Sequence, residues 1–304
     1  MKNVLNQANG ENWTIYHSDS VDAIAGLPAN SVHLSVFSPP FSGLYIYSDS
    51  IADMGNCAND DEFVEHYKFL AAELHRVTKP GRICAVHCKD LVYYANSSGT
   101  AGLRDFPGML IRAHQEAGWD YHSRVTIWKD PVIEMQRTKA HGLLYKQLRT
   151  DSTFSRQGLA DYILLFRKWA AEDEAVEPVT QTREDFPLDQ WQQWASPVWM
   201  DIKQTNVLNV QQARDSQDEK HICPLQLDVI ERIVKMYSNR GDVVLSPFAG
   251  IGSEGYVSVK HGRKFVGFEL KDSYFAQAQR YLDEAERSAA TPDLFQFAAT
   301  QPAA

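Results

Sequence analysis

Cysteine is scarce. Cys57, Cys84, Cys88 and Cys223 are the only four in 304 residues, and none stands in a Cys-x-x-Cys pair. That excludes the clustered thiols of a structural zinc site and the framework of a small disulfide-bonded fold, so reduced thiols and no metal are expected. Long apolar runs are missing too. No window approaches the ~20 apolar residues that span a bilayer, and Met1 to Trp13 has neither the basic nor the apolar region of an export signal. No membrane contact is expected, and the cytoplasm is the expected location. Positive charge is in deficit, with 30 Lys and Arg against 39 Asp and Glu for a net charge of -9. Averaged over the surface, that balance opposes a polyanionic partner.

The average conceals a local reversal. Between Tyr121 and Lys168 stand Arg124, Lys129, Arg137, Lys139, Lys146, Arg149, Arg156, Arg167 and Lys168, against Asp130, Glu134, Asp151 and Asp161. A run of this kind is most often a solvated helical face, and a nucleic-acid surface is the alternative.

Apolar residues make up 44% of the chain, which is sufficient for one large α/β domain with a substantial insertion. Trp13 to His17 alternates like a strand, and Ser31 to Phe37 is a strand-forming run ending at a double proline. From Asp60 to Val77 apolar residues recur at helical spacing, and Lys79-Pro80-Gly81 is a stop signal before a strand from Arg82 to His87. A helix from Phe106 to Ala117 and strands from His122 to Trp128 and Leu159 to Phe166 extend the rhythm. Ala170 to Lys220 is acidic, glutamine-rich and weakly periodic, which predicts an insertion or surface subdomain. Its Trp191, Trp194 and Trp199 are expected to anchor it to the core, with base stacking as the alternative. From Leu225 to Leu282 the strand and helix rhythm resumes, and the whole predicts a doubly wound, largely parallel α/β sheet of Rossmann-like type.

After the strand Val243 to Leu245 the sequence reads Ser246-Pro247-Phe248-Ala249-Gly250-Ile251-Gly252-Ser253-Glu254-Gly255 and opens a helix. Glycines at 250, 252 and 255 permit a sharp turn and close approach of a ligand to free amide hydrogens. Glu269, at the end of the next strand, can accept from both hydroxyls of a ribose. A nucleoside cofactor site follows; a nicotinamide dinucleotide matches the spacing as well as any other nucleoside, so an oxidoreductase stands as a rival.

Ser38-Pro39-Pro40-Phe41 ends another strand at the carboxyl edge of the sheet, where open α/β sheets build their sites. Two fixed φ angles stiffen the corner, so the Ser38 hydroxyl and Pro39 carbonyl can be held as acceptors for an NH2 group, with Phe41 offering a face to an aromatic ring. The bland alternative is a strand-terminating turn.

The two motifs, in this order, resemble the β-class DNA amino-methyltransferases, in which the catalytic tetrapeptide precedes the glycine loop. Ser38 to Phe41 is similar to that family's (Asp/Asn/Ser)-Pro-Pro-(Tyr/Phe) motif, and Ser246 to Gly252 to its Asp-Pro-Phe-x-Gly-x-Gly loop. The resemblance covers nearly the whole chain. It implies S-adenosylmethionine as cofactor, double-stranded DNA as partner, and methyl transfer to adenine N6 or cytosine N4. It assigns Ser38, Pro39, Pro40 and Phe41 to catalysis and Pro247, Phe248, Gly250 and Gly252 to the cofactor loop. Glu269 matches the ribose acid and Asp19 an acid near the adenine end. In Cys223-Pro224-Leu225-Gln226, Pro224 and Gln226 match a segment that holds the methionine carboxylate. Ser246 departs from the family Asp, so a contact to the cofactor's amino group is missing or is supplied by another residue.

The resemblance further implies one domain, with a catalytic half over 1–128, a target-recognition region over 129–218, a cofactor half over 219–288 and a flexible tail over 289–304. Arg137, Lys139, Lys146 and Arg149 are the expected DNA contacts. The runs Arg137 to Arg149 and His221 to Leu270 look most like orphan enzymes of phages and prophages, and a homodimer is expected because many relatives pair. The base must be flipped out of the duplex to reach the methyl donor. Carbon-5 methylation of cytosine is discounted, because the one Cys beside a Pro is Cys223-Pro224, in reverse order and in the wrong place. Serine before Pro-Pro favours cytosine, whereas the whole-chain likeness favours adenine, which is the expected target. A DNA-binding protein without catalysis is a further rival.

Overall fold

The computed structural model describes residues 4–41, 57, 59–94, 98–138, 141–209 and 224–290. Lys139 and Cys223 lie outside the described residues. In chain order the elements are β1 (Asn6–Asn9), β2 (Trp13–His17), α1 (Ser20–Ile24), β3 (Val32–Phe37), α2 (Asp60–Val77), β4 (Thr78–Cys88), β5 (Leu91–Tyr93), β6 (Gly102–Arg104), α3 (Phe106–Glu116) and β7 (Asp120–Ile127). Then come α4 (Pro131–Thr138), a 3-10 turn (His141–Leu143), α5 (Tyr145–Thr150), β8 (Asp161–Arg167), α6 (Leu188–Trp194), β9 (Val198–Trp199), α7 (Leu227–Tyr237), β10 (Val243–Ser246), α8 (Ser253–Lys260), β11 (Lys264–Glu269) and α9 (Asp272–Ala290).

Nine of these strands form one sheet in the order β1-β2-β11-β10-β3-β4-β8-β7-β9. The five from β2 to β4 are parallel, and β8 runs against both of its neighbours. Strand periodicity divides the core between the two faces. Leu34 and Val36 of β3, Ile83 and Ala85 of β4, and Ile163 and Leu165 of β8 pack with the apolar stripes of α7, α8 and α9. Their neighbours Phe37, Cys84, Val86, Leu164 and Phe166 pack with α1, α2 and α3. Both faces are thus covered, as a parallel sheet requires.

Local chemistry sets the boundaries. Asn59 caps α2 by accepting from the Glu62 N–H, with three acids in the first turn, and Asp105 caps α3 by accepting from Gly108. The stop signal at Lys79-Pro80-Gly81 ends the helix but does not delay the strand, because β4 begins at Thr78 and takes up Pro80 and Gly81 in a bulge. There the register against β3 jumps from Val32–Thr78 to Leu34–Ile83. The segment from Ala170 onward also contributes to the sheet, since β9 pairs with β7. Trp194 and Trp199 are buried, as expected of anchors, whereas Trp191 is 51% exposed. Among the described residues no helix is long and apolar enough to cross a membrane.

β10 and β3 are adjacent, yet β10 connects through α8 to β11 on one side and β3 through α2 to β4 on the other. The strand order therefore reverses between them, and a crevice opens at their carboxyl ends. Ser246 closes one strand and Ser38 follows the other.

Candidate active site

β3 cannot extend beyond Ser38, because Pro39 and Pro40 bring no N–H to a ladder. Both prolines are buried and Ser38 is half-buried at the crevice. Its Oγ lies 2.8 Å from Nδ1 of His87, the penultimate residue of β4. Nε2 of the same ring is 3.2 Å from Oδ2 of Asp161, within ion-pair reach though off the line of an ideal hydrogen bond. Nζ of Lys129 is 2.6 Å from that oxygen. Four neighbouring strands, β3, β4, β8 and β7, thus bring Ser38, His87, Asp161 and Lys129 into one line. Burial pushes the Asp161 carboxyl upward, but the His87 contact and the Lys129 ammonium outweigh it and hold the group well below the usual carboxylate range.

Phe41 stands beside this line. Phe106 meets its ring edge-on at 5.9 Å, His87 is 6.3 Å from it, and the Lys89 ammonium sits 5.9 Å from its centroid. Phe37, under the corner, touches Phe248 of the glycine loop at 5.9 Å, so the two motifs share one wall.

Across the crevice, Gly250 and Gly252 both adopt positive φ, 53° and 88°. Their side-chain positions differ. A Cβ on Gly250 meets open space, whereas one on Gly252 sits 3.2 Å from Ala278 in α9, and one on Gly255 is 2.5 Å from Leu282 and Phe265. Gly255 therefore serves helix packing, and Gly252 serves both the turn and the packing. Glu269 accepts from the Gly250 N–H and the Lys271 N–H, each at 2.8 Å. Asp19 follows β2, the strand next to β11, and caps α1 by accepting from Val21; burial raises its pKa. Glu254, buried in the first turn of α8, is pushed up to about 8 by burial and then by the Glu269 charge.

Orphaned polar atoms line this side. Ser246 Oγ, Gln226 Oε1 and Ser18 Oγ are buried without a hydrogen-bond partner, and such groups call for an explanation. Ser246 ends β10, Ser18 follows β2, and Gln226 stands at the N-cap of α7 without a side-chain capping bond. Pro224 precedes it and is half-buried. Leu227, next to Gln226, packs with Ile251 of the glycine loop. The donor set, with free hydroxyls, an amide and a carboxylate on a glycine turn, fits a polar nucleoside bearing an amino-acid tail.

The basic stretch is smaller than its composition implies. Lys129 is buried against Asp161. Lys168 is also buried and donates to Asn30, His75 and Thr78, while Arg167 lies 4.5 Å over the Trp169 ring. Lys146 and Arg149 are exposed on α5, three residues apart and on one face. Arg137 belongs to α4. A different cluster, His33, Glu177 and Asp242, lies at the opposite edge of the sheet, where Arg82 and Lys79 complete an ion-pair network.

Sequence reasoning missed His87, Asp161 and Lys129 as a group. The available signal was a histidine and an acid at the ends of otherwise apolar strands, Ile-Cys-Ala-Val-His and Asp-Tyr-Ile-Leu-Leu.

An open α/β sheet with a stiff acceptor corner facing a glycine loop across a switch point is the architecture of a nucleoside-cofactor site. A family model described as DNA methylase matches residues 32–280, and the chain belongs to that N6/N4 DNA methyltransferase family. It is 25% identical over 283 residues to the DNA adenine methyltransferase YhdJ of Escherichia coli K12, covering 91% of this chain and 85% of that one. The fold is similar to the cytosine-N4-specific PvuII DNA methyltransferase, with a TM-score of 0.65 and 16% identity over 94% and 96% of the two chains. It is also similar to TTHA0409 of Thermus thermophilus, a putative DNA modification methylase solved with S-adenosyl-L-methionine, with a TM-score of 0.63 and 21% identity over 88% and 93%.

Proposed function

We propose that this chain transfers a methyl group from S-adenosylmethionine to the exocyclic amine of a base in double-stranded DNA, with adenine N6 as the target. The observation that carries this reading is the meeting of the Ser38 to Phe41 corner and the Glu269-closed glycine loop across one crevice, in a chain of the DNA methylase family. When bound, S-adenosylmethionine supplies an electrophilic methyl group. Glu269 takes its ribose, Asp19 its adenine end, and Pro247, Phe248, Gly250 and Gly252 line its path, while Pro224, Gln226 and Ser246 meet the methionine end. Ser246 and Gln226 offer the amino group uncharged acceptors where relatives use Asp.

The target base leaves the helix at a cost of a few kcal/mol, roughly, and stacking on Phe41 offsets part of it. Ser38 Oγ and the Pro39 carbonyl accept hydrogen bonds from its NH2 group, favouring a lone pair localised on nitrogen. Pro39 and Pro40 hold these acceptors still, so positioning supplies much of the rate. Residues 129–218 read the target sequence, with Arg137, Lys139, Lys146 and Arg149 on the phosphates or guanine edges. A homodimer, expected from the resemblance, sediments at twice the chain mass.

Adenine is favoured by the nearly full-length likeness to an adenine methyltransferase. Ser38 in place of an acid, with the fold of a cytosine-N4 enzyme alongside, favours cytosine N4 as the second reading. The test is expression in cells without DNA methylation, followed by mass spectrometry of digested DNA. The expected product is N6-methyladenine. N4-methylcytosine alone reverses the choice of base, and no transfer of labelled methyl to any duplex by folded protein rejects the reading.

A further inference from the structure

We propose that His87, oriented by Asp161 and Lys129, fixes the Ser38 hydroxyl as an acceptor toward the target amine and receives the proton that the amine gives up. This rests on the amino-methyltransferase reading and adds to it a set of positioning residues that act through Ser38.

A serine hydroxyl has one proton and two lone pairs, so its role toward an NH2 group depends on where its own proton points. Here the partner is His87 Nδ1 at 2.8 Å. Nδ1 accepts only when the ring proton is on Nε2, and Nε2 faces Asp161 Oδ2 at 3.2 Å, which as a carboxylate only accepts. Lys129 at 2.6 Å keeps that carboxylate charged. All three side chains are nearly buried, at 11%, 11% and 7% exposure, so water competes little for these contacts. The tautomer is thereby set, Ser38 donates inward, and its lone pairs are left for the substrate. An ionised acid in the same place can only accept; a serine can donate or accept, and a partner that takes its proton holds it to the accepting role.

The proton balance closes. As the amine nitrogen bonds to the methyl carbon, the C–S bond breaks with its electron pair going to sulfur, and the nitrogen becomes cationic. One N–H proton passes to Ser38 Oγ while the Ser38 proton moves to His87 Nδ1. The resulting imidazolium is stabilised by Asp161 and loses its proton to water after product release. Other charges nearby are Lys89, over the Phe41 ring, and Asp90, Asp105 and Arg124 around the neighbouring Cys88.

The first measurement is nitrogen-15 NMR of histidine-labelled protein without cofactor or DNA. His87 is expected as the Nε2–H tautomer with Nδ1 accepting, and Asp161→Asn redistributes the tautomers. The second is single-turnover methylation. Asp161→Asn and His87→Gln should each lower the rate on the order of 100-fold, with cofactor and DNA affinities unchanged. Adding Ser38→Asp to His87→Gln should restore turnover, since a carboxylate accepts unaided. An Nδ1–H tautomer at His87 in the wild type overturns the proposal. So does a wild-type rate in folded Asp161→Asn. Because the tautomer is read in unaltered protein, an unstable variant does not remove the test, and failure there leaves methyl transfer itself untouched.

Discussion

Glu269 holds the glycine loop shut: one carboxylate oxygen accepts from the Gly250 N–H at 2.8 Å and the other from Lys271 N at the same distance. The acid assigned to the ribose therefore also shapes the turn before any ligand arrives. Glu269→Ala should weaken S-adenosylmethionine by roughly 1.5–3 kcal/mol, the loss of charged hydrogen bonds, and should broaden the amide signals of Gly250 and Ile251 in NMR. Calorimetry returning the wild-type affinity would move the ribose contact to another acid.

Phe41 is braced by Phe106 on its edge, so its ring is a fixed surface. Phe41→Ala removes a stacking face worth about 1–3 kcal/mol per base. Methylation should fall while cofactor affinity stays near normal. A wild-type methylation rate on an adenine substrate, together with normal unstacking of 2-aminopurine placed at the target in a separate fluorescence assay, would show that the base stacks elsewhere.

On α5, Lys146 and Arg149 point to solvent from one face. Replacing each by Ala should weaken DNA binding at low salt and reduce the log-log salt slope by about 0.9 per lost phosphate contact. A slope unchanged in the double variant would return both residues to an ordinary solvated surface.

His114 supplies a pH dependence of stability. It is fully buried, stacked at 3.9 Å on Phe166, with Nδ1 donating to the Leu110 carbonyl, and burial pushes its pKa from 6.5 to about 4. Below pH 6.5 the unfolded chain takes up a proton that the folded chain refuses until about pH 4. Stability therefore falls as pH drops through that window, by up to about 3 kcal/mol from this group. Urea melts at pH 7 and pH 5 should show a smaller acid loss for His114→Phe than for the wild type. Equal losses would assign the effect to other groups, His261 foremost, since it is held near the same value.

What is legible in the sequence is chemistry that acts locally. Pro39-Pro40 ends a strand wherever it stands, and Gly250 and Gly252 mark a turn whose positive φ angles few other residues accept, so both motifs can be read together with their strands. β1 is not legible, because Asn-Gln-Ala-Asn carries no apolar alternation and becomes a strand only by pairing with β2. His87 and Asp161 read in isolation as a strand end and a surface charge, since their meeting depends on β4 and β8 lying side by side. Composition likewise cannot distinguish Lys168, whose ammonium is enclosed by three oxygens, from Lys146 in solvent.

The Lys129–Asp161 pair has one more consequence. These residues stand at the mouth of a long hairpin, Ile127 of β7 opposite Asp161 of β8, and their 2.6 Å contact clasps its two stems. Between the two stems the chain runs from Asp130 to Ala160. If this stretch reads the target sequence, as proposed above, exchanging it for that of a relative should change which sequence is addressed while leaving the clasp, and the serine it supports, in place. A chimera made this way should keep the melting temperature of the parent and modify new sites, which sequencing of its host's DNA would reveal.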